Sequence, residues 1–367
     1  GGTYKEIKRL GYKCTEISDY TGSTEILDGR VKTLHPKIHG GILSKRNNNN
    51  HKKDMKKLNI DEIDFVVVNF YPFEEMLEKT KNHKKILEQI DIGGPALVRA
   101  AAKNYERVTV ITSIENYDKL HNEFKLYNGS TSLKFRQQMS EEAFLETSYY
   151  DSIISKYFLK LSNNQFPKIK IIGAKKIEML RYGENPHQNA AIYSTKNTGK
   201  KIIQLSGKKL SFNNYNDLYS ALLISKSLPN NKGTVIVKHA NPCGVSINKN
   251  KIKSFKLALK CDPISAYGGV VSFNFKINKI LALELKKIFL EIVIGNGFDK
   301  EAIKILKKKK NLRIIDSSKL NLRDTLNISS GLSTLLIQST DFKKFTKKDF
   351  VVVSKSKPSK KILDNLI

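Results

Sequence analysis

Apolar residues along this 367-residue chain come in short β-branched bursts separated by stretches with helical spacing. Asp64–Asn69 (DFVVVN) and Val108–Thr112 (VTVIT) read as strands buried on both faces. Between them, Pro95–Asn104 has helical spacing, with Pro95 suited to a first turn and Gly93 and Gly94 just before it. Strand, loop, helix, strand is the order of a mostly parallel sheet covered by helices. Helical patterning then runs from about Leu133 to Lys160. The polar residues 161–167, with Asn163, Asn164 and Pro167, mark a linker. Beyond it, Ala190–Tyr193, Thr234–Lys238, Val270–Phe275 and Val351–Val353 read as strands. Leu218–Leu228, Leu281–Phe289 and Ile362–Ile367 read as helices. The run Asn47–Asn50 reads as a loop tip, and no internal repeat shows. The expectation is an α/β protein of two domains, 1–163 and 168–367.

Composition adjusts this picture only slightly. Hydrophobic residues make up 40%, enough for ordinary cores. No stretch approaches the roughly 20 apolar residues of a membrane span. The opening Gly1, Gly2 and Thr3, followed by a Lys-rich helical pattern, is no secretory leader. The three cysteines, Cys14, Cys243 and Cys261, form no CxxC pair, so neither a disulfide framework nor a cysteine zinc site is expected, and a reducing cytoplasm fits. The formal charge is +30. The excess is spread along the chain and is mostly lysine, whereas arginine is the better base reader. It reads as a solvated basic surface that attracts anionic small molecules. A nucleic-acid-binding protein is the least favoured reading and requires salt-sensitive retention on DNA or RNA.

Six segments hold more polar and glycine character than packing needs. In Asp28–Pro36, Arg30, Lys32 and Thr33 suit a phosphate or carboxamide; a plain surface loop is the alternative. His35 and His39 mimic a metal pair, but Pro36 lies between them and no third ligand is evident, so no metal is expected. Asn69–Phe73 follows a strand, where open sheets gather ligands, so Tyr71 is placed to touch one; aromatics pack more often than they react. Asp91–Pro95 offers backbone N–H groups at a helix start, with helix capping by Asp91 as the plain reading. Lys103, at the other end of that helix, is a natural dipole partner. Leu180–Gln188 is dense in donors and acceptors and reads as a binding loop. Lys238 and His239 set a cation and a base at one strand end. That pair suits acyl transfer, with His taking a proton from an attacking amine and Lys stabilising the developing oxygen charge. Pro242 and Cys243 superficially resemble a zinc deaminase motif, but Asn241 stands in place of its Glu and Ser246 in place of its second Cys. Cys261–Gly269 ends in a Gly pair that lets a substrate approach the backbone. There is no P-loop and no GxGxxG, so NTP and NAD binding are unsupported.

In chain order, DGRVKTLHPKIHGGIL, VVVNFYPFE, DIGGPALVRAAAKN, LRYGENPHQ, VIVKHANPCGV and CDPISAYGGVV resemble one family. It is the bifunctional family joining phosphoribosylaminoimidazolecarboxamide (AICAR) formyltransferase to IMP cyclohydrolase, and the resemblance covers essentially the whole chain. It implies an N-terminal methylglyoxal-synthase-like parallel-sheet domain over 1–163 for the cyclohydrolase. A cytidine-deaminase-like formyltransferase domain follows over 168–367. It implies formyl transfer from 10-formyltetrahydrofolate to AICAR, then dehydrative closure of the product, FAICAR, to IMP. It further implies a cytoplasmic homodimer acting on these small molecules, with no metal, nucleic acid or membrane. By motif, Lys32, Tyr71, Asp91 and Lys103 resemble the cyclohydrolase chemistry set. Arg30, Thr33, Asn69, Ile92, Gly93 and the Gly1, Gly2, Thr3 turn resemble its nucleotide contacts. His239 resembles the formyltransferase general base and Lys238 its oxygen stabiliser or acid. Arg181, Tyr182, Tyr267, Gly268 and Glu291 resemble its substrate contacts. The family's Ser-x-x-x-Lys segment before the Gly-Gly-Thr turn and its far C-terminal Ser-Asn folate motif are missing. The chain therefore reads as truncated at both ends, and a non-catalytic fragment that keeps only binding loops is the alternative.

Overall fold

The computed structural model describes all residues except 1, 25, 28, 29, 196–201, 321–325, 342, 344 and 367. The chain divides into two compact units, Gly1–Ile177 with Tyr193–Asn197, and Glu178–Ile192 with Thr198–Ile367.

The first unit contains α1 (Gly2–Arg9), α2 (Ile17–Thr21), α3 (Pro36–Leu43), α4 (Asn49–Leu58), α5 (Phe73–Lys79), α6 (His83–Leu87), α7 (Gly93–Lys103), α8 (Tyr117–Leu126) and α9 (Leu133–Leu161). β1 (Phe65–Val67) and β2 (Thr109–Ile111) pair in parallel, as the strand–helix–strand order requires. β2 is buried throughout. β1 departs from the double burial expected of it: Val66 packs into the core with Val98 and Ala101 of α7, while Phe65 and Val67 face outward. That outer face is closed only in part, by the edge-to-face contact of Phe65 with Phe124 at 5.3 Å. α7 begins two residues before Pro95, still within the first turn, where a missing N–H costs no helical bond. Ala100, Ala101 and Ala102 keep α7 slim where it packs against α9 and the ladder. The Asn47–Asn50 run starts a helix rather than tipping a loop: Asn48 accepts from the N–H groups of Asn50 and His51 at the start of α4.

In the second half, β3 (Lys175–Leu180) and β4 (Ala190–Ser194) form a two-stranded sheet. The main sheet uses β5 (Ile203–Ser206), β6 (Gly233–Lys238), β7 (Asn241–Ile247), β8 (Gly269–Phe273), β9 (Leu290–Gly295) and β10 (Arg313–Asp316) in the order β5-β10-β9-β8-β6-β7. β8, β9 and β10 are parallel, and β5, β6 and β7 run antiparallel to their neighbours. One face packs on α11 (Lys251–Cys261), α12 (Lys279–Lys286) and α13 (Lys300–Lys307) through Phe255, Leu281 and Leu306. The other packs on α10 (Phe212–Ser227) through Leu218 and Leu222. β7 has no counterpart among the strands expected from the sequence, because Pro242 and Gly244 disguise it; an edge strand tolerates both. A hairpin of β11 (Leu326–Gly331) and β12 (Thr334–Ser339) and a last helix, α14 (Lys360–Leu366), follow. The expected strand at Val351–Val353 is absent. No described strand pairs with it, and a lone extended segment has nothing to satisfy its backbone. Among the described residues no helix is long and apolar enough to cross a membrane.

Candidate functional site

Two helix starts lie side by side in the first unit. α3 is capped by His35, whose Nδ1 accepts from Lys37 N–H at 3.1 Å. That bond assigns the proton to Nε2, which faces Ser23 Oγ at 3.3 Å. The start of α7 adjoins it: a Cβ built on Gly93 would stand 2.7 Å from Thr33 Oγ1. A side chain at Gly93 would have to push the Thr33 hydroxyl aside. Arg30 ties the same loop to the approach of α7 through an ion pair with Glu88. Lys32 lines a shallow cavity with Ile17, Ser23, Thr24, Val31 and His35. Lys32 and Lys5 of α1 both lie within electrostatic reach of Glu16. Gly2 and Thr3, expected in a turn, open α1 instead, and Gly1 lies outside the described residues. Two helix N-termini and the side chains of Arg30 and Lys32 form a region suited to an anion.

Asp91 stands at the mouth of α7. Its Oδ1 accepts from Gly94 N–H at 2.8 Å, so it does cap the helix. The carboxylate lies so close that a Cβ on Gly94 would sit 2.4 Å from Oδ2. Tyr71 and Ile92 are 55% and 62% exposed and so open to a ligand. Asn69 donates to Tyr117 Oη at 3.4 Å. Lys103 does not join this group within the chain. It ends α7, about 15 Å along the axis from Gly93 at 1.5 Å per residue. Its neighbour Asn104 donates to the carbonyls of Ile42 and Ser44 at 2.7 and 3.1 Å, at the far end of α3. The two helices start together, and Lys103 marks their other end.

In the second unit the candidates share one edge of the main sheet. There β8, β9 and β10 begin and β5 and β6 end. Lys238 closes β6, and its Nζ donates to Tyr267 O at 3.0 Å, next to Gly268. The Tyr267 and Phe289 rings pack at 5.1 Å, and Gly268 N–H donates to Phe289 O at 2.9 Å. Glu291, at the start of β9, accepts from Asn214 Nδ2 at 2.8 Å and faces Arg313 of β10 at 3.6 Å. Burial pushes the Arg313 guanidinium below its usual range, with Glu291 and Tyr182 pulling the other way. The loop holding Arg181 and Tyr182 reaches α10 through Asn213 Nδ2 and Glu184 O at 3.3 Å. His239 and Ala240 form the two-residue turn between β6 and β7, both in the left-handed region at φ 52° and 59°. That is the mirror-image turn a tight hairpin demands, and it strains two residues with a Cβ. Asp217 of α10 holds the turn, its Oδ1 accepting from Ala240 N–H at 2.7 Å. Burial raises the Asp217 carboxyl, while Ala240 N–H and His239 lower it and Glu291 raises it.

Asn214, Asp217 and Arg313 escaped the sequence reading. Asn214 left one trace, the Ser211-x-x-Asn214 capping box. The other two looked like ordinary helix and strand residues. Among the described residues no three His, Cys, Asp or Glu side chains gather as metal ligands.

The two regions together define a class: an α/β enzyme with separate sites for anionic small molecules, one at paired helix starts and one at a sheet edge bearing Lys and His. The "MGS-like domain" family matches residues 1–96, and the "AICARFT/IMPCHase bienzyme" family matches 101–367. The border between the two matches falls inside α7. The bifunctional purine biosynthesis protein PurH of Thermoanaerobacter sp. is 42% identical over 370 residues, covering 100% of this chain and 72% of that protein. Those of Prochlorococcus marinus and Leptospira biflexa are 43% and 41% identical, covering 98% and 100% of this chain and 71% and 72% of theirs. The chain belongs to the AICARFT/IMPCHase bienzyme family. It is a bifunctional formyltransferase and IMP cyclohydrolase, an enzyme of the last two steps of IMP biosynthesis.

Proposed function

We propose that the two reactions are divided between the two sites, cyclisation over 1–163 and formyl transfer over 168–367. The formyl donor is 10-formyltetrahydrofolate. The AICAR amine nitrogen attacks the formyl carbon, and His239 takes the proton that nitrogen sheds. Lys238 stabilises the negative oxygen of the tetrahedral intermediate. The bond from carbon to the folate nitrogen then breaks, and a proton returns to that nitrogen. Arg181, Tyr182, Tyr267, Gly268 and Glu291 hold the ribotide. In the second step the carboxamide nitrogen of FAICAR closes on the formyl carbon, and the formyl oxygen leaves as water. Asp91 handles the carboxamide proton, Lys32 stabilises charge on the oxygen, and Tyr71 orients the formyl group. Arg30, Thr33, Asn69, Ile92, Gly93 and the Gly1–Thr3 segment bind the nucleotide. Lys103 is assigned to this set on the family resemblance alone. The observation that carries the reading is the gathering of Lys238, His239, Tyr267, Gly268 and Glu291 at one sheet edge.

The test follows each step separately. Lys238→Ala and His239→Ala should abolish FAICAR formation and leave FAICAR closure intact, while Asp91→Asn should slow closure to a small but measurable rate and leave FAICAR formation intact. Normal formyl transfer by Lys238→Ala, or normal ring closure by Asp91→Asn, refutes the corresponding assignment. We also propose a homodimer. The β11–β12 hairpin and the segment after it expose Leu332, Leu335, Leu336, Val351 and Val353, an apolar surface that suits a protein partner. A monomer in sedimentation at micromolar concentration would refute it.

A further inference from the structure

We propose that Tyr150 is a positioning residue of the cyclohydrolase, fixing the Asp91 and Tyr71 segments relative to each other; this rests on the roles proposed above for those two residues. Tyr150 projects from α9 and is 5% exposed. Its hydroxyl spans the segment that leads into α7. It accepts from Asp91 N–H at 2.8 Å and donates to Gln89 O at 3.1 Å. With its proton and one lone pair engaged, the hydroxyl clamps the backbone on either side of Ile90. The ring packs on Phe70 at 5.1 Å and Phe73 at 6.3 Å, the residues that bracket Tyr71. One side chain therefore touches both segments by different means, hydrogen bonds to one and ring contacts to the other. The Asp91 carboxylate has a fixed direction only if its backbone is fixed, because its other anchor, Gly94 N–H, belongs to α7.

Tyr150→Phe keeps the ring and removes the clamp, taking away the partner of a half-buried N–H and of a half-buried carbonyl. Expected is a fall in kcat for FAICAR closure on the order of tenfold or more, with KM changed far less. Formyl transfer stays at the parent rate. A double-mutant cycle separates positioning from general support: on the Asp91→Asn background, Tyr150→Phe should cost almost nothing further. Parent-level closure by Tyr150→Phe, or full additivity with Asp91→Asn, overturns the proposal. Parent-level closure by Asp91→Asn alone instead overturns the role of Asp91. Hydrogen exchange decides independently of turnover. The Asp91 amide should exchange slowly in the parent and lose that protection in Tyr150→Phe, while Val98 keeps its own. A fast Asp91 amide in the parent also overturns the proposal.

Discussion

Gly94→Ala separates what helix stability wants from what the Asp91 site needs. Gly94 is helical and buried, and the three nearest atoms to an added Cβ all belong to the Asp91 carboxylate, at 2.4, 2.9 and 3.0 Å. Replacing a helical glycine with alanine gains about 1 kcal/mol of propensity. The methyl drives the carboxylate away from Gly94 N–H and loses a cap worth about 1 kcal/mol. The two terms nearly cancel, so the unfolding free energy should stay within about 1 kcal/mol of the parent. Chemistry has no such compensation. The carboxylate must move by roughly 1 Å to restore ordinary contact, and a misplacement of that size costs on the order of 10²-fold in rate. The assay is FAICAR closure followed by absorbance, with formyl transfer as internal control and a denaturant melt for stability. Closure at the parent rate with stability unchanged would refute the claim that the position of Asp91 matters.

Asp217→Ala releases the strained His239–Ala240 turn and should cut formyl transfer by on the order of ten- to a hundredfold, with FAICAR closure untouched; Asp217→Asn, which keeps an acceptor for Ala240 N–H, should retain more activity. Equal losses in both variants would show that the bond to Ala240 is not the reason. Burial raises the Asp217 carboxyl above its ordinary 3.8, so its stabilisation is complete below that value and is lost as pH climbs through the raised one. The unfolding free energy of Asp217→Asn should therefore gain on the parent over that climb, and a flat difference contradicts it. Asn274, 6% exposed, donates to the carbonyls of Ser225, Leu228 and Pro229 and accepts from Lys232 and Gly233 N–H at the edge of the sheet opposite Lys238. Asn274→Ala should lower stability by about 3 kcal/mol while kcat of the folded fraction holds, as thermal melts and kinetics would show. Tyr149 and Tyr215 are both pushed up to about 12, chiefly by burial, and should ionise last in an ultraviolet titration. Earlier ionisation of either in the folded chain would mean that its hydroxyl is not buried.

Much of the architecture was legible because its causes are local. The β-branched bursts at 65–67, 109–111 and 234–238 became strands, and the spacing over 133–160 became α9. The motif loops were also visible, since glycine pairs, prolines and clustered donors have no better use in a core. β1 was misjudged because burial of a face depends on what packs over it. β7 was missed because its composition is that of a turn, and its pairing with β6 is what makes it a strand.

What the residues determined unaided was the set of chemical groups, their order along the chain and the elements bearing them, because propensity and periodicity act over a few residues. Only the tertiary structure decided which groups meet. Thr33 reaches Gly93 because α3 and α7 start side by side, and that same arrangement carries Lys103 to the opposite end. Asp217 matters because α10 packs under the turn after β6, and Tyr150 because α9 crosses beneath two distant loops. Convergence of segments far apart in the chain, from Asp217 with Ala240 to Tyr150 with Phe70, is set by the packing of whole helices and strands, which no local pattern encodes.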